Sequence, residues 1–229
     1  VDNSGSMLDP TDRSNPNCVP STCGSGSGAC PPACPTRVSE MKSAMASFFQ
    51  TSPTLARFGV SIFPTNTACA AATNIDVQLP PPSPNDSDMA PLMTASSQVN
   101  ARLQSLVPGG GTPTAASLNF LGTYGGLNDA SDFRFDFVLL LTDGLPNCDL
   151  ANPKNQCSCN PTCAPAVTAA CSCTTGTSAT ACSGTDPASS NCARGCLDQD
   201  WAVTAVKALK QKGIRTIVVG FGAELAGGT

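Results

Sequence analysis

Residues 135–144 read FDFVLLLTDG. Between Phe137 and Leu141 every side chain is apolar, and the run stops at Thr142, Asp143 and Gly144. A short, unbroken apolar run closed by turn-forming residues predicts a strand covered on both faces, the kind found in parallel sheets. The acid then stands at the strand's carboxyl end, where open α/β sheets place their ligand sites.

Outward from that strand the chain alternates helix and strand signals. Residues 36–50 place Val38, Met41, Met45, Phe48 and Phe49 at three-to-four spacing, a helix for which Thr36 is a candidate cap. Residues 55–63 alternate as a strand, and residues 75–79 form a shorter one. The Pro-rich stretch from Pro80 to Pro91 predicts a loop. Residues 94–107 and 115–124 predict helices, separated by the breaker PGGGTPT at 108–114. Residues 198–212 predict a helix with Ala202, Ala205, Val206 and Leu209 inward, started by Asp198 or Asp200. Residues 214–222, IRTIVVGFG, predict another buried strand. The order predicts an α/β fold, a mostly parallel central sheet with helices on both faces. No repeat is present, and residues 1–229 read as one domain.

Composition removes several functions. The 229 residues carry a formal net charge of -4, without the basic clusters that nucleic acid requires. With no histidine, Ser-His-Asp and Cys-His catalysis are excluded. Walker A and Gly-x-Ser-x-Gly patterns are missing too, so the chain reads as a non-enzyme. Its 14 cysteines are even in number and indicate disulfides in an oxidising compartment. Zinc is the weaker reading, because Cys157-x-Cys159 and Cys171-x-Cys173 are spaced too closely for ordinary zinc sites. No apolar run is long enough to span a membrane.

The cysteines are not spread evenly. Four lie in residues 8–35, nine in residues 145–197, and Cys69 stands between them. These stretches read as insertions that disulfides must hold, since they have few large apolar residues. The four cysteines of the first insertion can pair internally, which leaves Cys69 to the second.

Three oxygen-rich pieces fall at one edge of the predicted sheet. VDNSGSM opens the chain with Asp2, Ser4 and Ser6 at alternate positions, so that their side chains converge. The Gly-rich loop supplies Thr112, and the strand at 137–142 delivers Asp143. Without nitrogen or sulfur donors, the set suits a hard divalent cation, Mg²⁺, Mn²⁺ or Ca²⁺. Asp9 and Asp12 are candidates for a second, weaker cation site.

This pattern of Asp-x-Ser-x-Ser, a Thr in a Gly-rich loop, and Thr-Asp-Gly after an apolar strand resembles the von Willebrand factor A (vWA) domain. The likeness spans roughly residues 1–7, 36–144 and 198–222. It implies a Rossmann-like fold and a metal-ion-dependent adhesion site at Asp2, Ser4, Ser6, Thr112 and Asp143. In that family the two serines bind the ion directly. Asp2 acts through water, and Thr112, rather than Thr114, and Asp143 act directly or through water. The third strand runs antiparallel, which brings the Cys69 connection and both insertions to the metal edge. The resemblance also implies that the chain is trimmed at both ends.

The implied function is an extracellular adhesion or ligand-binding module whose cation bridges to an acidic group on a protein or polysaccharide. Cysteine-rich bacterial surface adhesins, such as the gliding-motility lipoproteins of myxobacteria, are the most similar in style. That implies a location at the cell surface, outer membrane or periplasm, compatible with a lipid anchor elsewhere in the full protein. The alternative is a structural subunit of a surface or pilus-like assembly with a merely stabilising metal.

Overall fold

A computed structural model describes residues 1–25, 27–65, 69–82, 88–127, 129, 134–144, 146 and 201–221, with backbone alone at 158–159, 196–197 and 199–200. The chain is mixed helix and strand, in the order α1 (Arg37–Thr51), α2 (Met89–Gln104), α3 (Thr114–Leu121), β1 (Phe137–Thr142), β2 (Ser158–Cys159), β3 (Cys196–Leu197), α4 (Gln199–Gln211) and β4 (Arg215–Gly220).

The local chemistry explains the helix starts. Thr36 and Ser39 form a reciprocal capping box at α1, Ser39 N donating to Thr36 Oγ1 and Thr36 N to Ser39 Oγ. Helix α2 begins at Met89, inside the stretch that the prolines predict as loop. Asp88 caps it by accepting from Ala90 N, and Pro91 sits in the first turn, where a missing N–H costs no helical bond. Helix α3 is shorter than the sequence predicts, because the chain turns at Gly122.

β1 and β4 pair in parallel, from Phe137 beside Arg215 to Thr142 beside Gly220. β2 and β3 pair antiparallel over two residues, and beyond these pairs the described residues show bridges rather than the predicted continuous sheet. Asp2 bridges Phe63 in parallel, and Val60 bridges Val77 antiparallel. Asp2 N donates to Leu141 O at 2.9 Å, so the N-terminal segment lies between β1 and Phe63. Residues 55–63 and 75–79 thus follow the expected directions, but each makes only local pairs. The ladder is short because Val1–Asn3 leave it at once for the turn at Gly5, and Pro64 and Pro80 withhold N–H donors just beyond Phe63 and Leu79.

Apolar clusters lie on two sides of β1. Leu141 joins Val38, Met41 and Phe49 of α1, Val99 and Leu103 of α2, and Met7, Val60 and Ile62. Val138 joins Leu118 of α3, Ala205 and Leu209 of α4, and Ile214. Fully burying a Leu of this kind is worth about 1.5–3 kcal/mol.

Coverage is less complete than the apolar runs predict. Phe137 and Leu139 of β1 are 47% and 40% exposed, and Ile217 and Val218 of β4 are 49% and 59% exposed. Register puts Leu139 beside Ile217, on the face of β1 where α1 and α2 cover Leu141 but leave Leu139 part-exposed. Apolarity announces that a strand can be covered, while neighbours decide whether it is.

Two disulfides hold the first insertion, Cys18–Cys34 nested around Cys23–Cys30. Gly24 lies at φ 116°, and a Cβ there would stand 2.5 Å from Asp9 Oδ1, so only glycine fits. Cys69 is disulfide-bonded as well. Cys18, Cys23, Cys30 and Cys34 are paired with one another, so Cys69 has its partner outside that set. Most of residues 145–197 lie outside the described residues. Among the described residues no helix is long and apolar enough to cross a membrane.

Candidate metal centre

The site grows from a short path of backbone. Val1–Asn3 is pinned on both sides, Asp2 N to Leu141 O and Asn3 N to Phe63 O. The chain then closes into a 3-10 turn at Gly5–Leu8, with Ser4 at its N-cap position. Asp2 forces this bend. Its Oδ1 accepts from Ser4 N at 2.8 Å, an Asx turn, while its Oδ2 accepts from Thr142 Oγ1 at 2.7 Å. Asp2 is fully buried and both its oxygens are occupied, so it anchors the turn to the end of β1.

The hydroxyls follow. Ser6 Oγ donates to Asp143 Oδ1 at 3.0 Å, and Ser4 and Ser6 Oγ lie 3.0 Å apart. Ser6 has a single proton, committed to Asp143, so Ser4 is the donor between the two serines. Two oxygens from the N-terminal turn and one from Asp143, 137 positions away, therefore lie at even spacing.

The Gly-rich loop is stitched to the same turn. Gly109 N donates to Asn3 O, Gly5 N to Gly110 O, and Asn3 Nδ2 to Val107 O. A Cβ on Gly5 would stand 3.4 Å from Gly110 O, which is ordinary contact, so the close approach leaves little spare room. Thr112 is buried on this loop. These bonds bring the loop that carries Thr112 against the turn. Thr114, at the start of α3, turns its hydroxyl towards Thr112 O.

Electrostatically the site is acidic and dry. Asp143 is 1% exposed. Burial, followed by the neighbouring Asp2 carboxylate, pushes its carboxyl up to about 7, against the opposing pull of Arg37 and Ser6. Arg37, itself 4% exposed, places NH1 3.1 Å from Asp143 Oδ2.

Arg37 is a site residue that the sequence patterns do not single out, and Thr142 enters them only as the first residue of the Thr-Asp-Gly piece, although each leaves a trace. A cation at the first position of a helix opposes the dipole and needs a carboxylate to hold it. Thr142 is the first hydroxyl after five apolar residues, directly before Asp143.

Asp9 and Asp12, the candidates for a second cation site, take separate protein partners. Asp9 Oδ1 accepts from both the N–H and hydroxyl of Ser25, and its Oδ2 pairs with Arg13 at 3.1 Å. Asp12 turns outward and accepts from Ser14. These contacts use Asp9 to root the first insertion beside the site. Asp9 N donates to Ser6 O, and Arg37 N donates to Asp9 O.

One sulfur cluster also has the closeness of a metal site. The Sγ atoms of Cys23, Cys30 and Cys34 lie within 4.8 Å of one another and can hold a metal ion as thiolates. All three are in disulfides, so that chemistry first requires reduction.

The donor set at Asp2, Ser4, Ser6 and Asp143 fits a hard dication. An octahedral Mg²⁺ shell at about 2.1 Å puts neighbouring oxygens about 3.0 Å apart, the spacing of the Ser4–Ser6–Asp143 row. Against known proteins, no family model matches this chain, and no curated protein or solved structure matches it.

Proposed function

We propose that the chain is a vWA-type module that holds a divalent cation through Ser4, Ser6, Thr112 and Asp143, with Asp2 fixing the turn that presents them. The cation's chemistry is that of a Lewis acid offering a position to an outside carboxylate or similar anion. The reading is carried by the Ser4, Ser6 and Asp143 oxygens at 3.0 Å intervals, part-buried beside the fully buried Asp2.

Charge supports a binding role. Asp2 and Asp143 bring two negative charges and Arg37 one positive, so a dication leaves the cluster with one net positive charge. Such a site favours an acidic group on a protein or polysaccharide. The disulfide-bonded insertion rooted at Asp9 stands at the same turn, where variable loops set recognition. Disulfides fit an oxidising, extracellular setting, and the proposed role there is adhesion at a cell surface, in the manner of cysteine-rich bacterial adhesins. The cation is proposed as a ligand bridge rather than a catalyst.

The test is capture of an acidic polysaccharide and of cell-surface extract by the wild-type chain and by Ser6→Ala, with Mg²⁺ and with EDTA. Binding lost in EDTA and in Ser6→Ala, with folding retained, is the expected result. Binding that survives both while stability falls would assign the metal a structural role in an assembly.

A further inference from the structure

We infer that Arg37 is the built-in counter-cation of this site and, acting through Asp143, sets how weakly the site holds a dication. The inference rests on the metal-site reading above and adds to it a residue that supplies no oxygen ligand.

The placement is costly unless it serves the carboxylate. Arg37 is the first residue of α1, where the partial positive charge of the helix end repels a guanidinium. It is also almost wholly buried, and a buried cation is tolerated only with a partner. Asp143 is that partner, through Oδ2 at 3.1 Å and its backbone carbonyl at 3.5 Å. The backbone fixes the position, since Arg37 N donates to Asp9 O at 3.0 Å at the root of the insertion.

Asp143 divides its two oxygens. Oδ1 faces the serine row through Ser6, and Oδ2 faces Arg37. A dication meeting the serine row therefore shares Asp143 with a fixed positive charge, and a guanidinium does not shed its proton. Two consequences follow. The ion is held less tightly than the same oxygens would hold it alone. The metal-free protein keeps one of its two buried carboxylates ion-paired, so it stays folded while the ion exchanges. With 4% exposure Arg37 does not reach an outside ligand, so it is a positioning residue.

The test titrates Mg²⁺ or Mn²⁺ alone, by calorimetry, into the wild type, Arg37→Gln and Arg37→Lys, with melting of each protein in EDTA. The two readouts should move in opposite directions. Arg37→Gln should melt lower in EDTA yet bind the ion about tenfold tighter or more, within the usual range of coupling between sites. Arg37→Lys, which restores the charge, should stay close to the wild type in affinity. A lower melting point with unchanged or weaker affinity means a merely structural arginine and overturns the inference. Should Arg37→Gln not fold, the wild type decides. Its Arg37 side-chain N–H resonances should shift with Mg²⁺ along the calorimetric curve, and resonances unmoved at saturation overturn the inference. A wild type that binds neither ion at millimolar concentration overturns the metal-site reading itself, a result distinct from binding that ignores Arg37.

Discussion

Thr142 Oγ1 donates to Asp2 Oδ2 at 2.7 Å, joining the last residue of β1 to the second residue of the chain. The bond is buried, and its acceptor is a carboxylate. Hydrogen bonds to charged groups contribute about 1.5–3 kcal/mol. Thr142→Val keeps the shape and removes the donor, so it should lower the unfolding free energy by about that amount. Urea denaturation checks this, and a loss below about 0.5 kcal/mol would show that Asp2 finds another donor.

Asp143 gives the metal-free protein a pH-dependent stability with an unusual sign. Its folded carboxyl is raised to about 7 from an ordinary 3.8. Between those values the folded state binds the proton more tightly than the unfolded chain does. This contribution is fully present below pH 3.8 and is lost as pH rises through about 7. Melting in EDTA from pH 4 to 8 should therefore show a decline with rising pH that Asp143→Asn removes. Mg²⁺ should reverse the decline, since the ion needs the ionised carboxylate. A flat wild-type profile in EDTA would contradict the burial of this group.

Ser6 stands in the middle of the oxygen row, between Ser4 and Asp143. Ser6→Ala should weaken dication binding by roughly tenfold or more, comparable to other losses in a metal's surroundings. The fold should survive, because Asp2 and not Ser6 makes the turn's anchoring bonds. Calorimetry with Mn²⁺ and circular dichroism on one sample separate the two effects.

The disulfides make a covalent prediction. Peptide mapping without reductant should recover Cys18–Cys34 and Cys23–Cys30, and a Cys69 peptide crosslinked to one from residues 145–197. Replacing Cys18 and Cys34 together by Ala should cost about 3 kcal/mol, the loop-closure value for a ring of this size. A crosslink between the first insertion and Cys69 would contradict the pairing.

Much of this was legible in the chain. The helix at 37–51 follows from apolar spacing and a Thr cap, both local properties. The β1 strand follows from its apolar run, and the acid after it marks the rim. What spacing did not carry was extent. Met89–Thr94 is helical because Asp88 supplies an acceptor and Pro91 falls where no donor is needed. β4 carries an apolar run, Ile217, Val218 and Val219, but is exposed, because exposure depends on what lies against it.

Sequence alone determined the oxygen chemistry available at the rim and the internal pairing available to Cys18, Cys23, Cys30 and Cys34, since these depend on residue type and short spacing. Only the tertiary structure decided that Arg37 faces Asp143 across 106 positions and that Asp9 serves Ser25 and Arg13. Those outcomes are contests between distant charges for the same carboxylate, and their result depends on distances that no local pattern encodes.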